Sequence, residues 1–278
     1  MAARVAITVL VENTVSRPVL KAEHGLAFWI ASGSENILFD TGQSDLLTAN
    51  AKGLGVDLGA VNAIALSHGH YDHCGGLEAA LSKATGGVPV YAHPGVLQPR
   101  YRRAAGVSRQ IGMPDCCMAA LLRRKECLRA AAAPVEIAHN VFLTGEIPRV
   151  HAEEQADEEF RAGADGRKPD LLPDDQALFM RTPAGTVVFL GCAHSGIINT
   201  LEYIRHLTDD RPFHAILGGM HLKSASNDRI AWTIEALRQI PFKQAYPAHC
   251  TGAQAAAALW TAFPGRCFAG CVGTAIII

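Results

Sequence analysis

Between Ser67 and Leu77 the chain reads Ser-His-Gly-His-Tyr-Asp-His-Cys-Gly-Gly-Leu, which puts His68, His70 and His73 together with the carboxylate of Asp72 inside six positions. Neutral imidazole and carboxylate are donors for zinc, iron or manganese. Four such groups in one turn cannot all reach a single ion without strain. The segment therefore reads as the seed of a centre for one or two divalent metal ions, zinc foremost, with manganese or iron as alternatives. His68 and His70 alternate with Gly69 and can face one metal, while Asp72 and His73, at the turn into a helix, can face the other. The competing reading is a surface His-rich loop or a core cluster satisfied by its tautomers. It suits a lone histidine better than a cluster set between an apolar strand and a helix.

Three further histidines share that setting. His194 in Leu190-Gly191-Cys192-Ala193-His194, His221 in Gly218-Gly219-Met220-His221 and His249 in Tyr246-Pro247-Ala248-His249 each follow an apolar strand and precede a helix. Each alone would more often be structural; their repeated placement makes distal metal ligands the better reading. His221 stays open between ligand, substrate-contacting acid or base, and hydrogen-bonding support. His24, beside Gly25 at a strand start, is a substrate-pocket candidate. Arg100, Arg102 and Arg103 could grip a phosphate, because guanidinium forks match its oxygens, or form a solvated basic surface. Cys74 and Cys250 read as small buried hydrophobes.

The elements that must carry these groups follow from periodicity and turn signals. Strands are expected from Arg4 or Val5 to Val11, over Leu26 to Ile30 and over Asn36 to Phe39, then a helix from Ser44 to Lys52. A buried strand from Val61 to Leu66 delivers Ser67 and His68 to its C-terminal end, and a helix over Gly76 to Ala84 and a strand over Val88 to Ala92 follow. The rhythm breaks into a basic, partly helical insertion at about 98–130, and a polar loop of lid-like length spans about 153–174. Strands return at Ala177 to Arg181, Thr186 to Leu190, His214 to Leu217 and Gln244 to Tyr246, with helices at Thr200 to Leu207, Asp228 to Gln239 and Ala253 to Phe263. The whole, 1–278, reads as a single α/β domain of two sheet layers with helices outside.

A formal net charge of -1 gives no global field to attract nucleic acid or an anionic membrane. No run reaches the roughly 18 to 20 apolar residues of a spanning helix. The eight cysteines show no C-x-x-C pairing and the start shows no signal-peptide pattern, so a cytoplasmic protein with reduced thiols is expected. The expected partner is a small-molecule substrate, without nucleic acid or membrane, and the sequence is compatible with an oligomer.

The order H-x-H-x-D-H at 68–73, followed by Gly75-Gly76-Leu77, resembles the metallo-β-lactamase superfamily, as does Phe39-Asp40-Thr41-Gly42. Glu23-His24-Gly25-Leu26, Leu143 to Arg149, Asp174-Asp175-Gln176-Ala177-Leu178, Val272-Gly273-Thr274 and the three histidine segments narrow the likeness. They look like the branch named for 7,8-dihydropterin-6-ylmethyl-4-(β-D-ribofuranosyl)aminobenzene 5′-phosphate synthase, over essentially the whole chain. The resemblance implies a metallo-β-lactamase αββα sandwich, two mixed sheets with helices on the outer faces, and a metal-dependent active site. It makes Asp40 the carboxylate behind a metal-bound histidine. Where the superfamily usually has Gly-Asp, with a bridging Asp, this chain has Gly191-Cys192. His194 is then the expected ligand near the shared position and Cys192 a weaker candidate, His249 closes the Asp72 and His73 site, and one of the two metal sites is expected to bind loosely or stay empty.

The expected function is a metal-dependent hydrolase or transferase acting on a small, phosphorylated or pterin-like molecule. The metals would activate water or polarise an oxygen, with Asp72 and His221 as the catalytic side chains and His24, Arg100, Arg103 and His221 lining the substrate. In a pterin-type condensation the metals and the Arg-rich insertion would instead stabilise a departing diphosphate. Two alternatives use the same donors: a di-iron redox or sensing protein, and a catalytically silent metal-binding scaffold.

Overall fold

The computed structural model describes residues 5–163 and 167–278, so Arg4 and 164–166 lie outside the described residues. In chain order the elements are β1 (Val5–Val11), β2 (Ala27–Ser32), β3 (Glu35–Phe39), α1 (Leu46–Gly53), β4 (Ala63–Ala65), α2 (Tyr71–Cys74), α3 (Leu77–Lys83), β5 (Val90–Ala92), β6 (Arg100–Ala104), β7 (Val107–Gln110), α4 (Asp115–Arg123) and β8 (Leu128–Ala130). There follow β9 (Val135–Ala138), β10 (Val141–Leu143), β11 (Phe160–Ala162), β12 (Lys168–Pro169), β13 (Leu178–Thr182), β14 (Gly185–Leu190), α5 (Ile197–Leu207), β15 (Phe213–Gly219), α6 (Asn227–Gln239), β16 (Phe242–Ala248), α7 (Ala253–Ala262) and β17 (Ala275–Ile277). They fall into two compact units, the first Met1–Ala132, Ala156–Asp174 and Cys271–Ile278, the second Ala133–Gln155 and Asp175–Gly270.

The first unit is built on a seven-stranded mixed sheet of order β17-β1-β2-β3-β4-β5-β8. Its β17, β1, β2 and β3 pair antiparallel, whereas β3, β4, β5 and β8 run parallel. Alternation along the strands sends Leu38, Ile64 and Val90 into one core with Leu47 and Ala51 of α1, Leu77 and Leu81 of α3, and Cys117 and Leu121 of α4. Parallel strands end on the same edge, and the register Phe39↔Ala65 therefore sets Asp40 beside the segment that opens with Ser67.

The described residues of the insertion and the polar loop form more regular structure than their composition suggests. β6 and β7 form a hairpin whose two central residues, Ala105 and Gly106, both take positive φ (49° and 79°), as a tight two-residue turn requires. β11 pairs with β6 (Phe160↔Arg102) and with β12, giving a four-stranded sheet β12-β11-β6-β7. The segment expected as a long loop at about 153–174 carries β11 and β12 among its described residues. Each strand is too short and polar to declare itself, and the pairing that joins the two hairpins, β11 with β6, spans more than fifty residues. Ile111, Phe160 and Leu172 form a small apolar cluster packed against Tyr71 of α2.

The second unit carries a six-stranded mixed sheet, β16-β15-β14-β13-β10-β9. β14, β15 and β16 are parallel and the rest antiparallel. Val188, Leu190, Ile216 and Ala245 pack with Ile197, Leu201 and Ile204 of α5, Ile230 and Leu237 of α6, and Leu259 of α7. Ser226 caps α6, its hydroxyl accepting from the Arg229 N–H. The hairpin of β9 and β10 was not anticipated from the sequence. Among the described residues no helix is long and apolar enough to cross a membrane.

Candidate metal centre

In the first unit a carboxylate organises the His-rich turn from behind. Asp40, fully buried and at positive φ (59°), accepts through Oδ1 from the Ser67 N–H (2.7 Å) and through Oδ2 from the Ser67 hydroxyl (2.7 Å). Oδ2 also accepts from His73 Nδ1 at 2.7 Å. That bond puts the His73 proton on Nδ1 and leaves Nε2 with its lone pair, the form a metal needs. Ser67 gives its hydroxyl proton to Asp40, so the 2.8 Å contact of Ser67 Oγ with His68 Nδ1 is one in which the ring donates. His68 Nε2 is thereby a lone-pair nitrogen too.

The inward-facing atoms come together. His68 Nε2 lies 3.0 Å from His70 Nδ1. Two nitrogens each about 2.0–2.1 Å from a tetrahedral zinc sit about 3.3 Å apart, so this pair fits a shared ion with little adjustment. Asp72 Oδ2 lies 3.8 Å from His73 Nε2 and 3.1 Å from His24 Nε2, with the His24 side chain 46% exposed. Burial, reinforced by the neighbouring His73 and His70, pushes the His68 pKa well below its ordinary value despite Asp72, which keeps the ring neutral at neutral pH.

Glycines let the backbone close around these rings. A Cβ on Gly69 would lie 2.4 Å from the Val96 carbonyl oxygen, and one on Gly75 would lie 2.1 Å from that of Gln43. Gly25 packs against the Asp72 carbonyl, 2.7 Å from where its Cβ would be, and this approach brings His24 to the Asp72 carboxylate. The Gly69 N–H donates to Asp174 Oδ2 (2.8 Å), whose Oδ1 is 2.6 Å from Arg100 Nη2.

Arg100 is placed unlike a phosphate grip. It is 1% exposed, with its guanidinium on Asp174, on Asp170 (3.4 Å) and on the Gly95 carbonyl (3.1 Å). Neither a phosphate grip nor a solvated basic surface describes Arg100: the buried carboxylates claim it, and no local pattern around Arg100 announces a partner seventy residues on. Arg102 pairs with Glu159 at 2.6 Å, and Arg103 is exposed.

In the second unit the parallel strands bring three loops to one edge. Cys192 and His194 follow β14, His221 follows β15 and His249 follows β16, with Leu190↔Gly218 and Gly219↔Ala248 in register. Ala193, His221 and His249 all adopt positive φ (54°, 49° and 52°), a conformation side-chain-bearing residues seldom take and one that concentrates at functional loops. The His194 and His221 rings lie 4.3 Å apart, centroid to centroid. Sγ of Cys192, Sγ of Cys250 and a ring nitrogen of His221 all lie within 4.8 Å of one another. Burial opposes ionisation of Cys250, but hydrogen bonds from Cys192 and His221 and the charge of His249 outweigh it and hold the thiol well below its usual pKa.

Acidic residues without an assigned role in the sequence support these loops. Asp175 Oδ2 accepts from the Ser195 N–H (2.8 Å), and burial pushes its pKa up. Arg149 donates to the His194 carbonyl (2.7 Å). Glu154 accepts from the Ile198 and Asn199 N–H groups (3.0 and 2.7 Å) at the start of α5 and pairs with Arg229 (2.7 Å). An adjacent acidic pair leading into an apolar strand, Asp174-Asp175 before Ala177, was the available signal.

Gly219 offers a direct check on the edge geometry. An added Cβ would lie 2.4 Å from the Gly191 carbonyl oxygen and 2.5 Å from Cys250 Sγ. Gly219→Ala is expected to destabilise the protein by about 1–3 kcal/mol, the range for forced overpacking, as read from chemical denaturation.

A family model described as the metallo-beta-lactamase superfamily matches residues 20–244. The chain belongs to this superfamily. Among relatives of this superfamily member, the uncharacterized protein MJ0448 of Methanocaldococcus jannaschii is 32% identical over 250 residues, covering 90% of this chain and 91% of that protein. The 7,8-dihydropterin-6-methyl-4-(beta-D-ribofuranosyl)-aminobenzene-5'-phosphate synthase of the same organism is 28% identical over 252 residues, 84% and 83% of the two chains. Among solved structures, Tm1679, described as a metal-dependent hydrolase of the beta-lactamase superfamily, has a TM-score of 0.83 and 29% identity over 98% of each chain. The metallo-beta-lactamase fold protein YhfI from Bacillus subtilis has a TM-score of 0.62 at 14% identity over 99% of this chain and all of that one, a likeness of fold. The fold class is therefore that of the superfamily, α/β with mixed sheets, and the protein is of a metal-dependent enzyme type.

Proposed function

We propose that this superfamily member is a hydrolase acting on a small, phosphorylated or pterin-like molecule, with one or two divalent cations, zinc foremost, held by His68, His70, Asp72 and His73. The observation that carries the reading is the 3.0 Å approach of His68 Nε2 to His70 Nδ1, with His68 fixed from behind by Ser67 and His73 by Asp40. The superfamily resemblance extends the proposal to His194 and His249 as further ligands. A cation bound by these donors supplies a water of near-neutral pKa and a Lewis acid for a carbonyl or phosphoryl oxygen. Asp72 orients the nucleophile and takes up its proton. His24, hydrogen-bonded to Asp72 and half exposed, connects that carboxylate to solvent. His221 and Arg103 are proposed as substrate contacts, His221 also as an acid. A cytoplasmic setting belongs to the proposal, and the eight free cysteines are compatible with it.

The test is turnover by the zinc- or manganese-loaded protein on a panel of phosphoesters and lactones in heavy-oxygen water. Label in the product supports the hydrolase. An oxo-bridged iron absorption band with oxygen consumption, and no hydrolysis, would overturn it. The 28% identical synthase favours a second reading, transfer instead of hydrolysis. In that case a dihydropterin methyl diphosphate and an aminobenzene ribofuranoside phosphate would release diphosphate, with no solvent oxygen in the organic product.

A further inference from the structure

The four-stranded sheet of the first unit packs on the His-rich turn, and its register decides which arginines face that turn. Residues directly opposite one another in a sheet share a face. Phe160↔Arg102 and Arg102↔Arg109 therefore put Phe160, Arg102 and Arg109 in one row across β11, β6 and β7. Phe160 fixes the direction of that row. It is buried, its ring centroid lies 5.2 Å from that of His70, and it packs with Ile111 against Tyr71. Two arginines set directly opposite each other repel. Glu159 answers the charge of Arg102 at 2.6 Å, whereas among the described residues no carboxylate pairs with Arg109. The exposed Arg109 is held instead over the Tyr71 ring, 5.2 Å from its centroid. That ring lies 6.3 Å from the ring of His24, whose Nε2 is 3.1 Å from Asp72 Oδ2. Arg109, Tyr71 and His24 thus line a path from the hairpin to Asp72.

We infer that Arg109, carried on the face of Tyr71, receives a phosphate monoester group of the substrate beside the metal centre. This role rests on the reading of His68, His70, Asp72 and His73 as that centre. A guanidinium seated on a ring face keeps N–H donors for an incoming oxyanion, and its planar fork matches two phosphate oxygens at once. A phosphate monoester is close to doubly charged at neutral pH, so it answers both a divalent cation and the excess charge of the arginine row. A singly charged carboxylate answers only one of them. Tyr71 is a positioning residue that holds the guanidinium on the inner face of the hairpin.

Isothermal titration of the zinc-loaded full chain with phenylphosphonate, a phosphate monoester analogue that water does not cleave, tests the assignment. The wild type should bind phenylphosphonate more tightly than benzoate. Arg109→Gln should weaken phenylphosphonate binding by about tenfold or more, the loss expected for a hydrogen-bonded ion pair, with zinc content unchanged. Arg109→Lys, which keeps the charge without the fork, should fall between the two. Arg161→Gln removes the same charge from the opposite face of the sheet and should leave binding nearly unchanged. Benzoate binding as tightly as phenylphosphonate, or equal losses in Arg109→Gln and Arg161→Gln, would overturn the assignment. Zinc held at the wild-type level with phenylphosphonate binding unmoved by Arg109→Gln would sink it alone. Failure of the wild type to hold zinc would sink the metal-centre reading with it.

Discussion

Asp40→Ala is expected to lower stability by about 3–5 kcal/mol and metal affinity by roughly 10–100-fold. The stability loss follows from burial: the variant strands the Ser67 N–H, the Ser67 hydroxyl and His73 Nδ1, all of which Asp40 receives at 2.7 Å in a fully buried position. The affinity loss follows from the tautomer. Without the carboxylate nothing obliges His73 to keep its proton on Nδ1, so Nε2 loses its lone pair for part of the time. Asp40→Asn separates the two effects. It fills the same volume, so its unfolding penalty should be smaller, whereas an amide, with one acceptor oxygen, cannot hold all three donors and the loss of metal affinity should persist. Denaturant unfolding and competition with a chelator measure the two quantities. Metal binding by Asp40→Ala at wild-type strength would contradict the role given to Asp40.

The second large effect is expected at Arg100. Arg100→Met keeps the side-chain volume but leaves Asp174 and Asp170 facing each other without their cation. Breaking a buried pair in this way costs about 3–5 kcal/mol. Burial already pushes the Asp174 pKa up against the pull of Arg100 and of the Gly69 N–H. Adding Asp174→Asn should recover part of the loss, because the amide oxygen still accepts from Gly69 and only the Asp170 charge is left without its cation. A double-mutant cycle by urea denaturation reads this coupling. Additive losses would show that Arg100 and Asp174 do not act as a pair.

The same two residues show what was legible in the sequence. The cluster at 68–73 was readable because its donors are close together and sit after a strand, so local pattern and chemistry coincide. Strand ends were readable for the same reason: the hydrophobic runs before His194, His221 and His249 match β14, β15 and β16 closely, and those strands are parallel. Arg100 was misjudged because its partners, Asp170 and Asp174, lie in the segment whose order comes from pairing β11 with β6. Non-local pairing of short polar strands leaves little trace in either strand alone. Glu154 and Asp175 were missed on similar grounds. Each supports a loop backbone, and a carboxylate that receives N–H groups looks like any surface acid until its burial is known. Cys250 was read as a small hydrophobe, and its hydrogen bonds, which only the folded loops create, argue otherwise.

The central claim is that imidazoles of the first unit hold a functional cation, and His68→Ala tests it most directly. Metal content per chain, measured alongside turnover and the unfolding transition, is predicted to fall by at least about one ion, with turnover abolished and cooperative unfolding retained. A His68→Ala protein that keeps the wild-type metal content and turnover would contradict the account.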